Sequence, residues 1–169
     1  MARREILKLG HPLLSKMSEP IEDITPEIVE LAQDMVQTMH AAPGIGLSAP
    51  QVGVNRRLIA VDLTVGEKKE DLVVLINPEI VRQEGSVIRE EGCLSVPEVY
   101  EKVARPQKAT VAGLDLQGKE RLIDAEDLQA RVFCHEIDHL NGRLFVDLLS
   151  PLKRSLIKRK FKKPPAPKT

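Results

Sequence analysis

The chain has 169 residues, 42% of them hydrophobic, with 25 basic and 25 acidic side chains and a formal net charge of +0. That length supports one domain, expected to span residues 1–169, with a core large enough to fold unaided. The charge balance excludes a strongly basic nucleic-acid binder as a description of the whole chain, and no apolar run approaches a bilayer span.

The start M-A-R-R-E-I-L-K-L-G lacks the apolar stretch of a secretory signal. A cytoplasmic protein with no membrane and no specific DNA contact is therefore expected, in which Cys93 and Cys134 serve thiolate chemistry or burial rather than a disulfide. The first clear element is a helix. Thr25 suits its N-cap, Pro26 its first position and Glu27 its first turn, while Ile28, Leu31, Ala32, Met35 and Met39 recur at helical spacing until Pro43-Gly44.

From Arg57 to about Gly118 the texture changes to short β-branched runs: R-L-I-A-V-D-L, L-V-V-L-I-N-P, S-V-I-R-E-E-G-C-L-S-V and A-T-V-A-G-L-D-L. Each is bounded by turn residues and reads as a strand. Leu116 to Lys119 forms the tip of a hairpin whose second strand is E-R-L-I. Without βαβ alternation the sheets are antiparallel or mixed, so the fold class is α+β. A second helix is expected from Asp124, capping Asp127, to Asn141-Gly142; a third starts at Ser150-Pro151. The last residues, about 164–169, are expected to be disordered.

On the second helix Leu128, Val132, His135 and His139 share one face. Leu128 and Val132 mark that face as buried, and two unpartnered imidazoles there would carry a desolvation cost. One cation removes it, because ring nitrogens at i and i+4 of H-E-x-x-H reach the same ion. A third donor is still needed. The metzincin continuation fails, since Phe145 stands where a histidine is required, and no acidic residue follows Asp147 to serve as a thermolysin-like ligand. Cys134 is turned about 100° from His135. Cys93, in E-E-G-C-L-S beside the permissive Gly92, completes a Cys-His-His set, with His11 and His40 as weaker donors.

Three blocks, G-I-G-L-S-A-P-Q at 44–51, E-G-C-L-S at 91–95 and H-E-I-D-H at 135–139, resemble in order and spacing the motifs of the bacterial peptide deformylase family. The likeness spans nearly the whole chain. It departs at Ser48, where the family usually has Ala, and at Val99-Tyr100, where many relatives carry Arg. The resemblance implies a metal-dependent hydrolase that removes the formyl group from N-terminal formylmethionine of nascent polypeptides and releases formate. It further implies a central helix carrying metal ligands among antiparallel sheets, and a divalent ion, natively Fe2+, with Zn2+ or Ni2+ as substitutes.

By the same resemblance Cys93, His135 and His139 bind the metal, and Glu136 is the general base. Gln51 and the backbone N–H of Leu94 stabilise the oxyanion, while Gly44, Ile45 and Gly46 contact the peptide. Glu91 and Arg105 form a supporting ion pair. Two alternatives accompany this reading: another metallopeptidase or amidase, and a ribosome-associated protein with a structural metal. The second draws on the basic residues Lys153, Arg154, Lys158, Arg159 and Lys160. The favoured reading combines enzyme and ribosome contact through that helix.

Overall fold

The computed structural model describes residues 2–162, and the expected disordered tail lies outside the described residues. In chain order the elements are α1 (Pro26–Ala41), β1 (Gly46–Ser48), β2 (Leu58–Val61), β3 (Val73–Glu84), β4 (Val87–Cys93), β5 (Val96–Arg105), β6 (Lys108–Leu114), β7 (Glu120–Glu126), α2 (Asp127–Leu140) and α3 (Pro151–Lys162), joined by loops and short 3-10 turns. The strands form a five-stranded sheet in the order β1-β2-β3-β6-β7 and a separate β4-β5 hairpin. Every strand pair is antiparallel, as an α+β chain without βαβ alternation requires.

Strand β2 explains the layering. All four of its residues are buried, and alternate side chains of a strand point to opposite faces. Ile59 and Val61 accordingly join Phe133, Ile137 and Leu140 of α2, whereas Leu58 and Ala60 join Leu31, Met35 and Met39 of α1. The large sheet thus lies between the two helices. A third apolar cluster forms beyond it from Leu9, Leu14, Val96, Val103, Phe145 and Ile157, which fastens the hairpin and α3 to the N-terminal segment.

Helix α1 begins as its sequence dictates, with the Thr25 side chain accepting from Ile28 N–H at 3.4 Å. Helix α2 ends at Gly142, whose φ of +76° is the left-handed conformation that favours glycine. Its start differs from expectation. Residues 124 to 126 extend β7, and Asp124 accepts from the Thr110 hydroxyl at 2.8 Å across the sheet instead of capping a helix. The Thr110↔Asp124 register pair supplies a cross-strand partner that an isolated cap lacks. Leu128 differs too: it is 50% exposed, because the first turn of α2 overhangs a cleft rather than the core.

The N-terminal segment is fastened to α1 by a buried carboxylate. Asp34 accepts from Ala2 N–H at 2.7 Å and Arg4 Nε at 3.0 Å, while the Thr38 hydroxyl accepts from Arg4 N–H at 2.8 Å. The Ala2 amide is the largest influence holding the Asp34 pKa below its ordinary value; burial opposes it and Arg4 assists. A depressed folded pKa gives stability that is present in full above the unfolded value, about 4, and is lost as pH falls through the folded value. Asp34→Asn is expected to lower the thermal midpoint at pH 7 by about 2–4 °C. The gap from the parent should close in melts at progressively lower pH, and a gap that stays constant below pH 4 would show that charge is not the cause.

Candidate metal centre

Strands β4 and β5 fold back through the two-residue turn Leu94–Ser95, with Cys93 paired to Val96. Between that pair and Glu91↔Glu101 the hairpin is irregular: β4 contributes Gly92 alone while β5 contributes Pro97 to Tyr100. Such irregularity re-aims neighbouring side chains, and Cys93 is presented to α2. Gly92 was expected to supply an unusual backbone turn, yet it is not among the positive-φ glycines. What it supplies is space, since a Cβ there would lie 2.6 Å from Cε1 of Tyr100.

Opposite Cys93, one turn of α2 brings His135 Nε2 and His139 Nε2 to 3.2 Å from each other, and Cys93 Sγ lies 3.3 Å from His139 Nε2. The three donor atoms all fall within 4.8 Å of one another. Burial is the main influence holding His139 well below the usual histidine pKa, with the neighbouring His135 acting in the same direction, so its ring is a neutral donor. A soft sulfur and two imidazole nitrogens that face one point suit a single divalent cation. Ser95 N–H at 3.4 Å and Gln51 Nε2 at 3.6 Å also point at the sulfur.

The other candidate donors are occupied elsewhere. Cys134 lies in the α2 core cluster with its thiol pushed up to about 11 by burial. His11 accepts from Leu13 N–H, and His40 pairs with Asp62 at 2.8 Å. Phe145, the residue that excluded a metzincin ligand, stacks on His135 at a centroid distance of 6.2 Å.

Behind His135 lies Glu91, the residue that sets the ring's orientation. His135 Nδ1 donates to Glu91 Oε2 at 2.6 Å, Arg105 donates to both carboxylate oxygens at 3.1 and 2.7 Å, and Arg131 donates to Oε1 at 3.0 Å. Burial alone would raise this carboxyl's pKa; the hydrogen bonds from His135 and Arg105 override it and hold the group far below the usual range. The Nδ1 proton is thereby fixed, so Nε2 is the nitrogen able to give a lone pair to a cation beside Cys93. Arg131 also donates to the carbonyls of Val87 and Val103, and Arg105 to Asp138 at 2.6 Å. The expected Glu91–Arg105 pair is present; Arg131 and Asp138 were not anticipated, although Arg131 sits one turn before His135, on the same face of α2.

Glu136 occupies the cleft side of α2. It is 3% exposed, its Oε1 has no hydrogen-bond partner, and Oε2 lies 4.0 Å from His135 Nε2. Desolvation raises its pKa to about 7; a cation on the adjacent donors pulls the other way. Gly46 makes this placement possible, because a Cβ there would lie 2.5 Å from Glu136 Oε2 and 2.7 Å from Val132 Cγ1. Gly44, Ile45, Gly46, Gln51, Leu94 and Glu136 all line one cavity of about 450 Å3, which also reaches Cys93 and His135.

A sequence model of the polypeptide deformylase family matches residues 3–155. The chain belongs to that family. The peptide deformylase of Thermodesulfovibrio yellowstonii is 49% identical over 162 residues, covering 96% of this chain and 98% of its own. Among solved structures, a peptide deformylase from Legionella pneumophila is 44% identical with a TM-score of 0.89, covering 96% of this chain and all of that one. One from Ehrlichia chaffeensis in complex with actinonin is 38% identical with a TM-score of 0.88, covering 96% and 97%. This deformylase therefore has the metal dependence of its family, with Cys93, His135 and His139 as the group able to hold the ion.

Glu91→Gln keeps the shape of the side chain but removes the charge that fixes the His135 proton and balances two arginines. Metal affinity of this deformylase variant, measured by competition with a chelator, is expected to fall about 10- to 100-fold. Unchanged affinity would show that the ring is oriented by other contacts.

Proposed function

We infer that the chain hydrolyses the formyl group from the N-terminal formylmethionine of nascent polypeptides, in the cytoplasm, with Fe2+ as the native ion held by Cys93, His135 and His139. The observation that carries this reading is the convergence of those three donors, two of which, Cys93 and His135, line a cavity that also holds the buried Glu136 carboxylate with its Oε1 unpartnered. A cation there supplies Lewis acidity, lowering the pKa of a water and polarising the formyl carbonyl. One thiolate and two imidazoles also accept Zn2+ or Ni2+.

The remaining steps belong to the protein's own groups. Glu136, buried beside the donors, takes a proton from the attacking water and returns it to the departing amine. Gln51 Nε2 and Leu94 N–H donate to the oxyanion that forms on the formyl carbon. The N-terminal residues of the substrate lie along β1, which pairs only with β2 and so has a free edge among the described residues. Asp62 N–H already donates to the Ile45 carbonyl at 2.9 Å. By antiparallel alternation the N–H and C=O of Gly46 then face the open edge, ready to pair with an extended peptide. Gly44 leaves room for that backbone, and the side chains of Ile45, Leu128 and Val132 give the methionine an apolar surround.

Glu136→Ala should keep a full complement of metal and lose nearly all formate release from formyl-Met-Ala-Ser, a drop of at least about 100-fold. Turnover at the parental rate by the metal-loaded variant would remove Glu136 from its role. Metal analysis after anaerobic purification tests the choice of Fe2+.

We further propose that α3 meets the ribosome through its basic face. Lys153 and Lys158 are paired with Glu101 and Asp147, whereas Arg159 and Lys160 are exposed. Removing the helix would delete Ile157 and Phe161 and uncover the third apolar cluster into which they pack, so charge reversal is the cleaner test. Arg159→Glu with Lys160→Glu should weaken co-sedimentation with ribosomes, most visibly at low salt. Equal binding by the variant excludes this face.

A further inference from the structure

Ser48 and Gln51 are both fully buried beside the metal donors. An amide side chain has two ends of nearly equal size, and its direction is set by which partners surround it. Here Gln51 Oε1 accepts twice from the same residue: from Ser48 N–H at 2.9 Å and from the Ser48 hydroxyl at 3.0 Å. Gln51 Nε2 is turned the other way, toward Ser95 Oγ at 3.1 Å and Cys93 Sγ at 3.6 Å. Reversal would set Nε2 against the fixed Ser48 N–H and Oε1 against the sulfur.

We propose that the Ser48 hydroxyl is a positioning residue for deformylation, filling the second lone pair of Gln51 Oε1 so that Nε2 is held toward the reaction centre and made a stronger donor. The inference rests on the reading of Gln51 as an oxyanion donor. Its physical basis is twofold. A buried carbonyl oxygen with one empty lone pair tolerates rotation that a doubly bonded one resists. Donation onto the oxygen of an amide also polarises its N–H groups, so consecutive hydrogen bonds strengthen one another. The chain from hydroxyl to amide oxygen to amide N–H ends where charge develops only in the transition state. Its loss therefore falls on kcat and leaves KM unchanged.

The test is a double-mutant cycle on the metal-loaded enzyme with formyl-Met-Ala-Ser, using Ser48→Ala, Gln51→Ala and both together, with metal content and circular dichroism recorded for each. Gln51→Ala is expected to lower kcat about 100-fold. Ser48→Ala should lower kcat about three- to tenfold at unchanged KM, and should cost nothing further when Gln51 is already Ala. An equal loss in both backgrounds would mean that the hydroxyl acts through packing, and no loss in either would also sink the proposal. A Gln51→Ala enzyme with parental kcat would remove the oxyanion reading itself and this inference with it. Should Ser48→Ala fail to fold, Ser48→Cys, close in shape and a weaker donor, runs the same cycle with an expected loss of about twofold.

Discussion

One buried carboxylate governs the arrangement of this protein. Glu91 belongs to β4, Arg105 to β5, and Arg131 and His135 to α2, and all of them meet at its two oxygens. An ionised group in so enclosed a place is tolerated only when its lone pairs are filled by opposite charges and strong donors. The hairpin and the helix therefore have one mutual position in which every partner is satisfied. Because Cys93 sits two residues after Glu91 and His139 one turn after His135, that same position brings sulfur and second imidazole together. The metal centre is thus a consequence of an ion-pair network lying behind it.

Opposed requirements are met a few ångströms apart. His135 faces a carboxylate surrounded by donors, whereas Oε1 of Glu136, its neighbour in sequence, faces no donor. Successive helix residues differ by about 100° in direction, so one helix turns one residue toward the charged network and the next toward the cleft. The absent side chain of Gly46 lets β1 close over Glu136 and bury its carboxylate. Hydration would return that carboxyl toward the ordinary acidic range.

Much of this was legible in the residues. The i, i+4 histidines with Glu136 between them, the isolated Cys93 and the capped, methionine-rich α1 each carry a local signal whose period or spacing has one physical meaning. What was hidden depended on partners distant in sequence. The segment S-V-I-R-E-E-G-C-L-S-V looked like one strand because Leu94–Ser95 has no glycine, proline or asparagine to announce its turn. Asp124 looked like a cap because Thr110, its actual partner, lies fourteen positions away. Leu128 matched the helical period of the core, and periodicity does not distinguish a core from the apolar lip of a cleft. Arg131 was a charge on a helix until Glu91 and two strand carbonyls were placed around it. Ser48 entered only as a departure from its relatives, since nothing local says that its hydroxyl meets an amide three residues on.

The border of β1 that is unpaired among the described residues has a further meaning. Exposed sheet borders invite unwanted association, and this one is limited to three residues, too few to recruit another chain durably. A substrate docked there as proposed must arrive extended, with its own amides unspent. Polypeptides whose first residues have already joined a helix or sheet have none to lend. On the proposed docking, the demand for free amides at this border would confine the reaction to the interval after a chain end emerges and before it folds.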